Sequence, residues 1–128
     1  MQIKEIHQIK MNINFLVKKN KINLDGYGDN KFIVSGKIYK SPILILPNKI
    51  TIKKNLRLNN LKKKDLEKIV KSYKLEFLVL GYNLKKRNIF KCKSSLIKVM
   101  NTGAACRTIN ILLFEKRSVG ALLFPIKD

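Results

Sequence analysis

Leu75-Glu76-Phe77-Leu78-Val79-Leu80, halted by Gly81, reads as a strong β-strand: a run of large apolar side chains with a turn former behind it. What flanks it indicates the kind of sheet. Upstream, Leu61, Leu66, Ile69 and Val70 recur at helical spacing with lysines on the other side. That spacing predicts a helix over Lys62–Tyr73, with Asn59 or Asn60 as its cap. Downstream, Leu84–Ser95 is basic and poorly patterned, a stunted helix at best, and Leu96-Ile97-Lys98-Val99-Met100 is the next strand. Thr102 is placed to cap a helix running through Glu115, with Ala105, Ile109, Leu112 and Leu113 turned inward. Ser118–Phe124 is a closing strand stopped by Pro125. Helix, strand, partial helix, strand, helix, strand is the alternation of a layered α/β core with at least some parallel pairing.

The half before Leu61 is mostly β. Leu24-Asp25-Gly26-Tyr27-Gly28-Asp29-Asn30 reads as a turn cluster, and Phe32-Ile33-Val34 and Ile38-Tyr39 flank Ser35-Gly36-Lys37 as a hairpin. Ile43-Leu44-Ile45-Leu46, between Pro42 and Pro47, is a continuous apolar run, the signature of a strand buried on both faces. Ile50–Lys53 adds a short strand. Residues 1–21 form an arm in which Ile3, Ile6, Ile9 and Ile13 are spaced by three or four but no cap is evident. A short amphipathic helix there, or a strand over Ile13–Val17, both stay open. Residues 22–128 then make one α/β domain without repeats or linkers.

The net charge of +20 invites a polyanion reading, but the composition argues for restraint. Lys (24), Ile (17) and Asn (13) make up 54 of the 128 residues, and all three have AT-rich codons. Arg, the better residue for phosphate forks and base edges, occurs 4 times. Selection for nucleic acid does not explain surplus Ile and Asn, whereas an AT-rich genome explains all three. Non-specific nucleic-acid binding is therefore a third-ranked expectation, testable by whether the lysines cluster on one face. No apolar run approaches the length of a membrane span, and Met1–Lys10 lacks a signal-peptide core. The early segment has neither Arg nor Ser, which disfavours a mitochondrial presequence. The expected setting is the bacterial cytoplasm, with peripheral contact to an anionic membrane compatible with the charge.

Chemistry-bearing residues are sparse. Cys92, Cys106 and His7 do not make a four-ligand metal site, and neither a metal nor a cofactor is expected. The segment Met100-Asn101-Thr102-Gly103-Ala104-Ala105-Cys106-Arg107 is the most suggestive. A helix start at Thr102 and Gly103, with Arg107 beside it, suits a small anion, and the same field would favour a Cys106 thiolate. The plainer reading is a helix packed closely on a sheet with Cys106 in the core. Nothing near Cys106 in sequence supplies a base, so catalysis is not expected. Gly81 sits at the carboxyl end of a strand, where α/β proteins place ligands, but Gly81-Tyr82-Asn83 is neither a dinucleotide fingerprint nor a P-loop. Tyr27, Phe32 and Tyr39 lack the basic–aromatic pattern of base stacking and read as hairpin packing.

Three stretches together resemble one family: Gly36-Lys37-Ile38-Tyr39-Lys40-Ser41-Pro42-Ile43-Leu44-Ile45-Leu46-Pro47, the strand ending in Leu80-Gly81, and Met100-Asn101-Thr102-Gly103-Ala104-Ala105-Cys106-Arg107-Thr108-Ile109-Asn110. It is the small single-domain family that includes the mitochondrial complex I (NADH:ubiquinone oxidoreductase) assembly factor 3 and uncharacterised bacterial and archaeal proteins. The resemblance spans Asp25–Pro125. It implies a compact three-layer α/β domain with a mixed sheet, and a non-enzymatic scaffold that helps assemble a respiratory membrane complex through protein contacts. Three departures stand out. Gly81-Tyr82-Asn83 replaces Gly-Thr-Gly, a basic stub replaces the next helix, and Ile109 replaces an aromatic.

The expectation is thus an interaction protein whose partner is a respiratory-complex subunit or another assembly factor, with Arg107 and the turns at Gly36 and Gly81 on its working surface. The rival is a small-anion or redox-sensing module at Thr102, Gly103, Cys106 and Arg107, which requires an exposed, easily ionised Cys106.

Overall fold

The structure, a computed structural model, describes residues 22–85 and 94–126. The expected arm at 1–21, Cys92 and most of the basic stub fall outside these residues. The described residues fold as a mixed α/β domain with two α-helices and two sheets. A three-stranded antiparallel sheet runs in the order β1 (Leu24–Gly28), β2 (Lys31–Val34), β3 (Lys37–Tyr39). The second sheet contains β4 (Ile43–Leu46), β5 (Lys49–Ile52), β6 (Phe77–Gly81), β7 (Ile97–Met100) and β8 (Val119–Leu123), in the order β5-β4-β8-β6-β7. Helix α1 spans Lys63–Ser72 and α2 spans Thr102–Phe114. Strand β6 pairs in parallel with β7 and β8, and β4 pairs antiparallel with β5 and β8, so the sheet is mixed as expected.

The period-2 geometry of a strand sorts the core into two. Ile43 and Ile45, Val79, and Val119, Ala121 and Leu123 point to one face, where Ala105, Cys106, Ile109 and Leu113 of α2 and Leu24, Phe32 and Val34 of the small sheet cover them. Leu44 and Leu46, Leu78 and Leu80, and Leu122 point to the other, under Leu66 and Val70 of α1. The result is three layers: α1, the five-stranded sheet, and α2 beside the small sheet. All four residues of β4 are buried, which is the two-sided burial its apolar run implied.

Several boundaries differ from the sequence reading. Leu24–Gly28 is a strand, not a turn; the turn is Asp29-Asn30, both at positive φ, and a bulge between Leu24 and Gly26 absorbs the irregular spacing. Helix α1 is not capped by Asn59 or Asn60, which lie in a 3₁₀ turn over Leu58–Asn60. Its entry is instead fixed by Asp65, whose carboxylate accepts the Lys62 amide at 3.0 Å. Both helices end with a lysine in the left-handed region: Lys74 after α1 and Lys116 after α2. In each case the lysine amide and the one after it fold back onto carbonyls of the last turn: Lys74 to Lys71 and Leu75 to Val70, Lys116 to Leu113 and Arg117 to Leu112.

Candidate functional site

The start of α2 is built into the carboxyl ends of the parallel strands. Asn101, not Thr102, is the N-cap: its carbonyl accepts the Ala105 amide at 2.9 Å, and its side-chain oxygen accepts the Leu84 amide at 2.9 Å. Thr102 is the first helical residue and is fully buried; its hydroxyl donates to the Phe124 carbonyl at 3.0 Å. The Phe124 amide in turn donates to the Gly81 carbonyl, and the Tyr82 amide to that of Met100. The rim where an α/β sheet commonly holds a ligand is therefore stitched shut by the chain's own groups.

Gly81 is part of this packing and not a ligand-facing turn. It is the last residue of β6, and a Cβ there would lie 2.6 Å from the Ala105 Cβ and 3.0 Å from Leu123 Cδ2. Its lack of a side chain lets α2 lie against the sheet. Cys106 is also buried, and burial pushes its thiol up to about 12, with Arg107 only partly opposing the shift. The exposed thiolate that a redox sensor needs is absent at this position. Gly36, at φ 84° in the β2–β3 turn, donates its amide to Asp25 and borders a separate hollow with Asn23, Asp25 and Ser35.

What the structure brings together instead is a surface shared by α2 and β1. Arg107 Nη1 donates to the Tyr27 hydroxyl at 3.2 Å, joining residues 80 apart in sequence. Gly103 makes room for this: a Cβ there would be 2.6 Å from that same hydroxyl oxygen. One turn on, Asn110 clamps the strand, donating to the Leu24 carbonyl and accepting the Leu24 amide, both at 2.8 Å. Gly103, Arg107, Asn110 and Phe114 fall at i, i+4, i+7 and i+11, hence on one helical face. Phe114 is 64% exposed and neighbouring Ile111 58%, while the Tyr27 ring is 43% exposed. Of the six expected site residues, only Gly103 and Arg107 lie on this surface; Thr102, Cys106 and Gly81 are core, and Gly36 is elsewhere. Tyr27, Asn110, Ile111 and Phe114 escaped the sequence reading. The helical spacing from Arg107 to Phe114 was a usable signal; the approach of Tyr27 was not.

Among the described residues, no group of three or more His, Cys, Asp or Glu is placed to hold a metal ion. Among the same residues, no helix is long and apolar enough to cross a membrane.

Comparison with known proteins agrees with the architecture. The model of a family described as a protein of unknown function (DUF498/DUF598) matches residues 24–124. A Bordetella parapertussis protein of solved structure superposes with a TM-score of 0.65 at 22% identity, over 83% of this chain and 97% of its own. A Bartonella henselae protein described as an outer membrane protein gives 0.66 at 25% identity, over 83% and 96%. A Mth938-like domain of Bordetella pertussis gives 0.61 at 20%, over 80% and 85%. Among curated proteins none matches the chain.

Proposed function

Because the chain belongs to the DUF498/DUF598 family, whose function is unknown, we propose a role from its surface: a non-enzymatic interaction domain that docks a protein partner on α2 and β1. The observation that carries this reading is the patch of Tyr27, Arg107, Ile111 and Phe114. Tyr, Phe and Arg are the residue types enriched at protein interfaces, and exposed large apolar side chains beside one oriented cation suit a docking centre. The Gly103–Tyr27 contact and the Asn110 clamp hold the patch on rigid elements, so little ordering is needed on binding. The partner class comes from the sequence resemblance: a subunit or another assembly factor of a complex I-like respiratory complex, met from the cytoplasmic side.

The test is affinity capture with the tagged full chain from its own or a related host at moderate salt, with mass spectrometry of the retained proteins. Recovery of respiratory-complex subunits or assembly factors, lost in Arg107→Ala and Phe114→Ser, is the expected result. Recovery of ribosomes alone, washed away by salt, would remove the assembly role.

A further inference from the structure

The lysines are not spread evenly. The 26 residues from Lys49 to Lys74 carry ten cations (nine lysines and Arg57) against two acids, Asp65 and Glu67. The other 71 described residues carry eight cations against four acids. The crowded stretch runs from edge strand β5 to the end of α1. On α1 the inward face is Leu66 and Val70, so Lys64, Lys68 and Lys71, at i, i+4 and i+7, form an exposed outer stripe. Lys49 of β5 sits 5.0 Å over the Tyr73 ring at the end of α1, which joins the two elements into one patch. The two acids are occupied: Asp65 accepts the Lys62 amide, and Glu67 accepts the Ser94 hydroxyl at 3.3 Å. Compositional drift supplies the lysines but does not account for this segregation.

We propose that the α1–β5 face is a docking surface for an anionic membrane, seating the domain on phospholipid headgroups while the α2–β1 face stays turned away. This inference stands independently of the protein-docking reading, since it uses none of the same residues. Charge complementarity names an anion, and the form of the patch selects the kind. A nucleic-acid strand is held in a groove with stacking aromatics and guanidinium forks. Here the charge lies on the convex outer side of a helix, and all but one of the ten cations are lysines. A planar headgroup layer accepts a broad convex patch and attracts each lysine within about a Debye length. Tyr73, 42% exposed, lies beside these cations under Lys49, and amphipathic side chains of this sort settle at the level of the headgroups.

The experiment is co-sedimentation of the full chain with vesicles of phosphatidylcholine alone or mixed with phosphatidylglycerol, at two salt concentrations. Binding to the anionic vesicles only, falling with salt, is expected. The triple variant Lys64→Glu, Lys68→Glu, Lys71→Glu should weaken it at least tenfold, and Tyr73→Ser about twofold or more at the higher salt. A charge-matched control, Lys31→Glu, Lys37→Glu, Lys40→Glu on and just after the small sheet, should leave most of the binding intact. Unfolding midpoints of all variants show that each is folded, and Lys64→Gln, Lys68→Gln, Lys71→Gln repeats the test with a milder change. No binding to anionic vesicles, or equal loss in the two triple-Glu variants, would overturn the proposal. So would displacement from the vesicles by equimolar single-stranded RNA phosphate, which would name nucleic acid as the occupant.

Discussion

The two helices cover opposite faces of the same sheet and do so by opposite means. Helix α1 rests on Leu66 and Val70 with half-buried Ile69 beside them, and its outer side is mostly lysine. Helix α2 is apolar on average, meets the sheet through Ala105, Cys106 and Ile109, and ties itself to β1 through Asn110 and Arg107. Adhesion through a few leucines tolerates almost any outer face, so that face is open to drift or to charge. Attachment through small residues and paired polar groups fixes position closely, and the side chains beyond it, Ile111 and Phe114, are then presented at a set angle. The difference separates a layer that is merely covered from a layer that is aimed.

That contrast can be broken by mutation. Leu66→Ala should cost about 2–5 kcal/mol, because α1 has few other anchors, whereas Lys64→Ala on its outer side should stay within about 0.5 kcal/mol. Urea unfolding measures both; equal effects would mean α1 is not held by its apolar stripe. Gly81→Ala should cost about 1–3 kcal/mol, since the new methyl meets Ala105 and the neighbouring backbone must give. If thermal melting finds it neutral, α2 is not as closely seated as described. Asn110→Ala should cost about 1–2 kcal/mol by removing both partners of the Leu24 peptide groups. Amide exchange at Leu24 should accelerate with it, while amides of α1 keep their protection.

The smallest effect is a pH dependence. The Cys106 thiol has its ordinary value near 9 raised to about 12 by burial, so the folded state holds its proton where the unfolded state releases it. Stability should therefore fall as pH rises from 9 toward 12, and Cys106→Ala should flatten that slope. A slope unchanged by the substitution would show the thiol to be accessible. At neutral pH, alkylation of the Cys106 peptide should follow unfolding and not precede it.

What the sequence disclosed follows from how local each determinant is. The apolar run Ile43–Leu46 and the stripe of α1 carry their burial in their own spacing, and both were legible. Leu24–Gly28 was not, because two glycines and an aspartate read as a turn; pairing to β2 and the Asn110 clamp make it a strand. Thr102 looked like a cap because Ser and Thr so often are, but Asn101 precedes it and the Thr102 hydroxyl has a distant carbonyl to satisfy. Gly81 read as a strand terminator, and its real requirement, the approach of Ala105, is a contact across 24 positions. The Tyr27–Arg107 pair, 80 residues apart, left no trace in local pattern at all.

The strand order has a consequence for synthesis. Strand β8, the last of the described strands in sequence, lies between β4 and β6, so it joins an antiparallel half to a parallel half. Until residues 119–123 have left the ribosome, neither half has its central neighbour and neither helix has a complete floor. The nascent chain must keep the apolar β4 and β6 segments exposed until β8 has been made, a long wait for sequences this prone to pair with other strands. Productive folding of this domain therefore begins only once Val119–Leu123 has emerged, and a ribosome stalled before Val119 holds a client for chaperones in place of a partly finished domain.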